Sequence, residues 1–254
     1  MSTVSPVLLT TIKELQQLSG LSQFALAGGT NLAIRFGHRE SQDIDLFCPE
    51  IIGIKHLEQI QKEVVDFYGE KNISSIDYPA GKESEQFTFL RFWVTKPCGT
   101  MIKVEVIQNM KMMDAPETID GIRLITTKDI GLFKLITGSS RAANKDIYDL
   151  DFITEHISLA DLFKGLKAKK EKYNQKEHQS IFDLDDEGCP TQDPYLLLKF
   201  DGNVSQSKIK PMHSNDNILI PEGGKSWIKA RTSWRMKVRK LFRHLGIEFN
   251  ISKD

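Results

Sequence analysis

The sequence predicts an α+β fold: a mixed β-sheet core with helices, followed by a mainly helical C-terminal domain. Strand-like stretches dominate the first half of the chain, and the apolar period turns helical after Leu124. A length of 254 residues leaves room for one or two domains with a sizeable core. The boundary falls near Thr126, separating a core of residues 1–126 from a helical part of residues 127–254.

Each element follows from local pattern. Val7, Leu8, Ile12, Leu15 and Leu18 recur at helical spacing between Pro6 and Gly20. Phe24 to Ala27 reads as a short strand entering a Gly28-Gly29 turn, after which Thr30 caps a helix reaching Phe36. Ile44 to Cys48 is a second strand, stopped by Pro49, and Ile54 to Tyr68 is an amphipathic helix. Phe87 to Thr95 and Met101 to Gln108 alternate well, with Pro97-Cys98-Gly99 as the hairpin turn between them. Helices are then expected over Thr127–Thr137, Asn144–Glu155 and Ser158–Lys172. Asp183 to Lys225 is loop-rich, and Ser226 to Leu245 returns to a helical pattern.

Bulk composition excludes more than it assigns. Lysine plus arginine and aspartate plus glutamate number 34 each, so any case for nucleic acid must be local. Cys48, Cys98 and Cys189 lie far apart and form no C-x-x-C pair, which suits a reducing cytoplasm. No apolar run approaches a membrane span and no signal peptide is visible, so a cytosolic protein is expected. The histidines form no zinc pattern. Gly223-Gly224-Lys225-Ser226 imitates the end of a P-loop, but Leu219 stands where its first glycine belongs.

The chemistry concentrates at Asp43-Ile44-Asp45-Leu46. On a strand, Ile44 and Leu46 point into the core while Asp43 and Asp45 share the opposite face. Carboxylates held so close repel unless a cation lies between them, and magnesium takes oxygen ligands in this way. A strand end with solvated acids is the plainer alternative. Upstream, Gly28-Gly29-Thr30 offers a backbone that a phosphate can approach and a helix N-terminus to receive it, or simply an ordinary glycine turn. Arg39 and Ser41, between the two motifs, either orient a triphosphate or order their loop. In Ile102-Lys103-Val104-Glu105-Val106, Lys103 and Glu105 face away from the apolar side. Glu105 then either completes a metal cluster or forms a surface salt pair with Lys103 on a half-exposed strand.

Leu26-Ala27-Gly28-Gly29-Thr30, followed by Arg39-Glu40-Ser41-Gln42-Asp43-Ile44-Asp45, resembles the signature of the nucleotidyltransferase superfamily. The resemblance is closer to the abortive-infection AbiE-type toxin nucleotidyltransferases and covers about Phe24 to Phe152. Those toxins also carry a helix lysine and an Arg-Asp-x-x-Asp-Leu motif. Lys134 matches the former, and Lys145-Asp146-Ile147-Tyr148-Asp149-Leu150 matches the latter with lysine for arginine, which cannot copy a bidentate contact. The small neighbours Gly131, Thr137 and Gly138 would leave the face of Lys134 open, and Asp149 reads as structural. The resemblance implies a nucleotidyltransferase-type sheet and a nucleoside triphosphate substrate. It implies Mg2+ (or Mn2+) on Asp43 and Asp45, with Glu105 as a third ligand. Gly28, Gly29, Thr30, Arg39, Ser41 and Lys134 would hold the nucleotide, and Asp146 would be general base or acceptor-orienting group. Catalysis would thus rest on Asp43, Asp45, Lys134 and Asp146. It further implies an RNA acceptor such as tRNA and a cognate antitoxin. A small-molecule or protein acceptor, or a catalytically silent RNA-binding protein on the same fold, are the alternatives.

The tail from Trp227 to Arg243 holds seven basic residues interleaved with Trp227, Trp234 and Phe242, and no acid. Its apolar positions suit a packed amphipathic helix. Arg235 and Arg239 are candidate RNA contacts on its basic face.

Overall fold

A computed structural model describes residues 3–79, 85–140, 143–186, 188–201 and 217–249. A seven-stranded mixed sheet forms the centre. In chain order its strands are β1 (Ala25–Leu26), β2 (Ile44–Phe47), β3 (Ile73–Asp77), β4 (Phe89–Thr95), β5 (Met101–Ile107), β6 (Glu117–Ile119) and β7 (Ile122–Leu124). Their spatial order is β3-β4-β5-β2-β1-β7-β6. β2 lies parallel to β5 and antiparallel to β1, and β1 lies parallel to β7. The helices are α1 (Pro6–Gln17), α2 (Gly28–Phe36), α3 (Gly53–Tyr68), α4 (Thr127–Ser140), α5 (Asn144–His156), α6 (Leu159–Lys172) and α7 (Trp227–Leu245).

The pleat divides the side chains between two cores. Ile44, Leu46, Val104 and Val106 pack with Leu8, Ile12 and Leu15 of α1 and with Leu57, Ile60 and Val64 of α3. Ala25, Ala27, Phe47 and Ile107 face the other way and join a cluster built from α4 to α7. Asp45, Lys103 and Glu105 alternate with the first set, so they too point to the side where α4 lies.

Three strands exceed the sequence expectation. β3 is a sheet edge with a register shift between Ser74 and Asp77, and its half-exposed residues show no clean alternation. β6 and β7 are three-residue strands joined by Asp120-Gly121, both at positive φ. That dipeptide is a hairpin signal in its own right. The expected loop over Asp183 to Lys225 is interrupted by tight 3-10 turns at Ile181–Asp186 and Pro194–Asp201; residues 202–216 lie outside the described residues. The tail forms α7, with Trp234, Val238 and Phe242 fully buried and the Trp234 indole donating to Leu197 O at 2.9 Å. No helix among the described residues is long and apolar enough to cross a membrane.

Candidate active site

The first wall of the site is the β1–α2 turn. Gly28 has φ +64°, and a Cβ there would meet Asp45 Oδ2 at 1.9 Å, so only glycine lets the backbone lie against that carboxylate. A Cβ on Gly29 would meet Arg39 Nη2 at 2.1 Å. α2 begins at Gly28 with Ala27 as N-cap and no side-chain cap, which leaves its first N–H groups to the cleft. Thr30 therefore lies inside the helix instead of capping it. Its hydroxyl donates to the Asp43 carbonyl and lies 2.8 Å from Ser41 Oγ, tying the turn to the start of β2. Asn31 Nδ2 donates to Leu26 O at 2.7 Å and to Ile125 O at 2.9 Å, which fixes α2 over the ends of β1 and β7.

The second wall is the sheet. β2 and β5 place Asp45 opposite Glu105, and Asp43 lies just before β2. Asp43, Asp45, Lys103 and Glu105 all line one cleft together with Gly28, Gly29, Phe47, Phe133, Lys134 and Phe182. Burial pushes the Asp43 carboxyl up; Lys103 opposes that, and Asp45 adds repulsion. Lys103 Nζ lies 3.8 Å from Asp43 and 3.3 Å from Glu105, and Arg91 Nε lies 2.8 Å from Glu105. The half-exposed strand expected for Lys103 and Glu105 is thus a buried one, flanked by β2 and β4 with both side chains turned into the cleft. The Glu105 carboxylate is engaged by two cations. Among the described residues, no three acidic, histidine or cysteine side chains converge as a ready metal cage.

The third wall is helical, and one acid organises it. Asp149 is fully buried and accepts from Arg39 Nε at 2.7 Å and Nη2 at 2.8 Å, while its Oδ2 lies 2.7 Å from Lys134 Nζ. His38 Nε2 lies 2.7 Å from Oδ1. Although burial pushes the other way, Arg39, Lys134 and His38 hold the Asp149 carboxyl well below the usual carboxylate range. Lys134 Nζ also donates to Asp146 Oδ1 at 2.6 Å.

Several expected roles change with this geometry. The face of Lys134 is not open: Leu162 and Ile153 fill the space at Gly131, and Ile147 and Leu150 fill it at Gly138. Lys134 reaches the cleft as a buried ammonium held between Asp146 and Asp149. Asp146 is fully buried behind it, whereas a general base must come within about 2.6–3.2 Å of the hydroxyl it deprotonates. That placement suits Asp146 to positioning Lys134. Arg39 is spent on Asp149, so it orders the loop more directly than it could orient a phosphate. Lys145, at the place of the motif arginine, lines a polar recess with Gly29, Ser41, Asp43 and Asp45. Lys225 of the P-loop imitation bonds Asp151 at 2.6 Å and also Glu155, a structural use.

With this geometry in view, the family model for the AbiEii nucleotidyl transferase toxin of type IV toxin–antitoxin systems matches residues 13–215. The chain belongs to that family. AbiEii membership makes it a nucleotidyltransferase, with a nucleoside triphosphate as substrate and an antitoxin as partner. The protein aq_aa25 of Aquifex aeolicus (strain VF5) is 27% identical over 179 residues, covering 67% of this chain and 76% of that protein. The fold is also that of the nucleotidyltransferase toxin MenT4 of Mycobacterium tuberculosis H37Rv, with a TM-score of 0.52 at 16% identity, over 94% of this chain and 82% of MenT4.

Proposed function

We propose that this AbiEii-family enzyme transfers a nucleoside monophosphate from a nucleoside triphosphate to an RNA acceptor such as tRNA, in a Mg2+-dependent reaction. The observation that carries the reading is the Asp43–Asp45 pair, set against the bare backbone of Gly28 at an uncapped helix start. The donor set fits a hard divalent cation: oxygen ligands close together, one of them partly desolvated, beside a cradle that a Cβ would fill. When bound, Mg2+ (or Mn2+) on Asp43 and Asp45 supplies neutralisation of the charge that builds on the phosphates.

The chain's own groups do the rest. The N–H groups at the start of α2 receive phosphate oxygens, and the Lys134 ammonium adds a fixed point charge from across the cleft. Asp146 and Asp149 hold that ammonium in place. Glu105, held by Arg91 and Lys103, would be the third ligand of that metal. Phe47, Phe133 and Phe182 give the cleft an aromatic end for the base. The acceptor hydroxyl oxygen bonds to the α-phosphorus, pyrophosphate leaves, and the hydroxyl proton passes to water or a cleft carboxylate. The cationic face of α7 bearing Arg235 and Arg239 guides the RNA.

Incubation of the protein with each labelled nucleoside triphosphate, Mg2+ and total RNA tests the reading. Label is expected in an RNA of tRNA size, lost with a chelator. Label appearing only in protein or a small molecule would replace the RNA acceptor with that class.

A further inference from the structure

A second recess shares Phe133 with the nucleotide cleft. It is a cavity of about 180 Å³ lined by Lys111, Phe133, Lys169, Lys170, His178 and Asp183, among others. Lys169 of α6 is the unusual member. It is only 7% exposed, its Nζ has no hydrogen-bond partner, and that Nζ lies 3.5 Å from the centre of the Phe133 ring. The nearest carboxylates are committed elsewhere. Asp129 accepts from the backbone N–H groups of Met113 and Asp114, and Asp183 accepts from Lys170 at 2.5 Å and from Ser180. The attraction of an aromatic face is smaller than the cost of stripping water from an ammonium. Desolvation accordingly pushes the Lys169 ammonium down to about 7. A buried cation without an acceptor is relieved by an anion entering the recess. Lys111, which donates to Pro49 O, and Lys170, paired with Asp183, stand at the same wall and can turn donors to that anion.

We infer that the recess of Lys111, Lys169 and Lys170 beside Phe133 is a phosphate-binding subsite that receives a phosphate group of the acceptor. This rests on the reading of the neighbouring cleft as the nucleotide site. A phosphate held there lies one aromatic ring away from the triphosphate, so it anchors the acceptor strand while the adjacent hydroxyl enters the cleft.

The test titrates the full-length protein with inorganic phosphate while a non-hydrolysable nucleoside triphosphate analogue saturates the cleft. One phosphate site is expected to remain. Lys169→Met, which keeps the length of the side chain and removes the cation, is expected to weaken it at least tenfold, and Lys111→Gln severalfold. The dissociation constant of the analogue is expected to stay within twofold in both. Tungstate soaked into crystals of the unmodified protein gives a check that needs no variant, with density expected within hydrogen-bonding reach of Lys169 Nζ. No phosphate site beyond the filled cleft, equal binding by Lys169→Met, or tungstate elsewhere would overturn the inference. In the labelled-RNA assay, Lys169→Met is expected to raise the KM for RNA at least fivefold. Failure of RNA labelling with phosphate still bound at Lys169 would overturn the acceptor class and leave the subsite standing.

Discussion

The acids on the sheet line the cleft, the acids on α5 lie buried behind Lys134, and the electrostatics of the two sets are opposite. Asp149 takes a bidentate arginine, a lysine and a histidine, and its carboxyl is held well below the ordinary value. Asp43 is half-buried, and burial together with repulsion from Asp45 raises its carboxyl against the pull of Lys103, which lies 3.8 Å away. A saturated carboxylate contributes structure and leaves little for a ligand. An under-compensated carboxylate such as Asp43 stores unfavourable charge that a divalent cation removes. The helical acids therefore brace the site, which leaves Asp43 and Asp45 as the pair proposed for the metal.

The largest expected effect breaks the brace. Asp149→Ala takes the carboxylate from Arg39 and His38 and leaves Lys134 with Asp146 alone, and should cost about 3–5 kcal/mol of stability, read by chemical denaturation. Because the Asp149 carboxyl is depressed below 3.8 in the folded state, its contribution is complete above that pH and is lost as pH falls below it towards the folded value. The acid limb of stability against pH should be shallower in Asp149→Asn. An unchanged stability in Asp149→Ala would show that the brace is not structural.

On the other side, Asp43→Ala and Asp45→Ala should change the melting temperature little, because the repulsion each relieves offsets the compensation each gives Lys103. Nucleotide transfer should fall by about 10²–10³-fold, the range for removing one preorganised contact to developing charge. Unfolding of either variant would erase the distinction between the two acid sets. Lys134→Ala belongs to both sides, and it should lower stability and raise the KM for the nucleotide together.

Gly28→Ala sharpens the comparison at a smaller scale. The added methyl meets Asp45 Oδ2 at 1.9 Å and the backbone has φ +64°, so about 1–2 kcal/mol should be lost together with most of the activity. Near-full activity would mean that the close approach of Gly28 to Asp45 is unnecessary. The smallest effect is expected on α7. Arg235 lies over Phe200 and Arg239 over Phe249, and reversing both to Glu should leave the KM for nucleotide unchanged. The salt dependence of RNA binding should flatten by about one to two units. A salt slope equal to that of the unmodified protein would leave α7 as a packing helix.

Local pattern was enough to place most elements. The approximate alternation at Phe89–Thr95 and Met101–Ile107 and the helical period at Gly53–Tyr68 are properties of neighbouring residues. The strands that escaped were too short or too irregular to carry a period, although Asp120-Gly121 announced one of the hairpins. His38 and Phe182 carried no sequence signal of belonging to the site. Lys103 was visible on the same face as Glu105, without any sign of its reach to Asp43.

By itself the sequence determined which side chains share a face, because backbone geometry sets that within a few residues. It thereby selected Asp43 and Asp45 together and placed the glycines before them. Only the tertiary structure decided which charges are spent. Arg39 and Asp149 stand 110 residues apart, as do Lys134 and Asp146 by 12, and the sequence is silent on whether such ions meet. Whether a buried lysine finds a carboxylate, as Lys134 does, or only an aromatic ring, as Lys169 does, depends on the packing of α4, α5 and α6. Burial makes the difference matter, since an ion removed from water must be compensated by whatever the fold brings beside it.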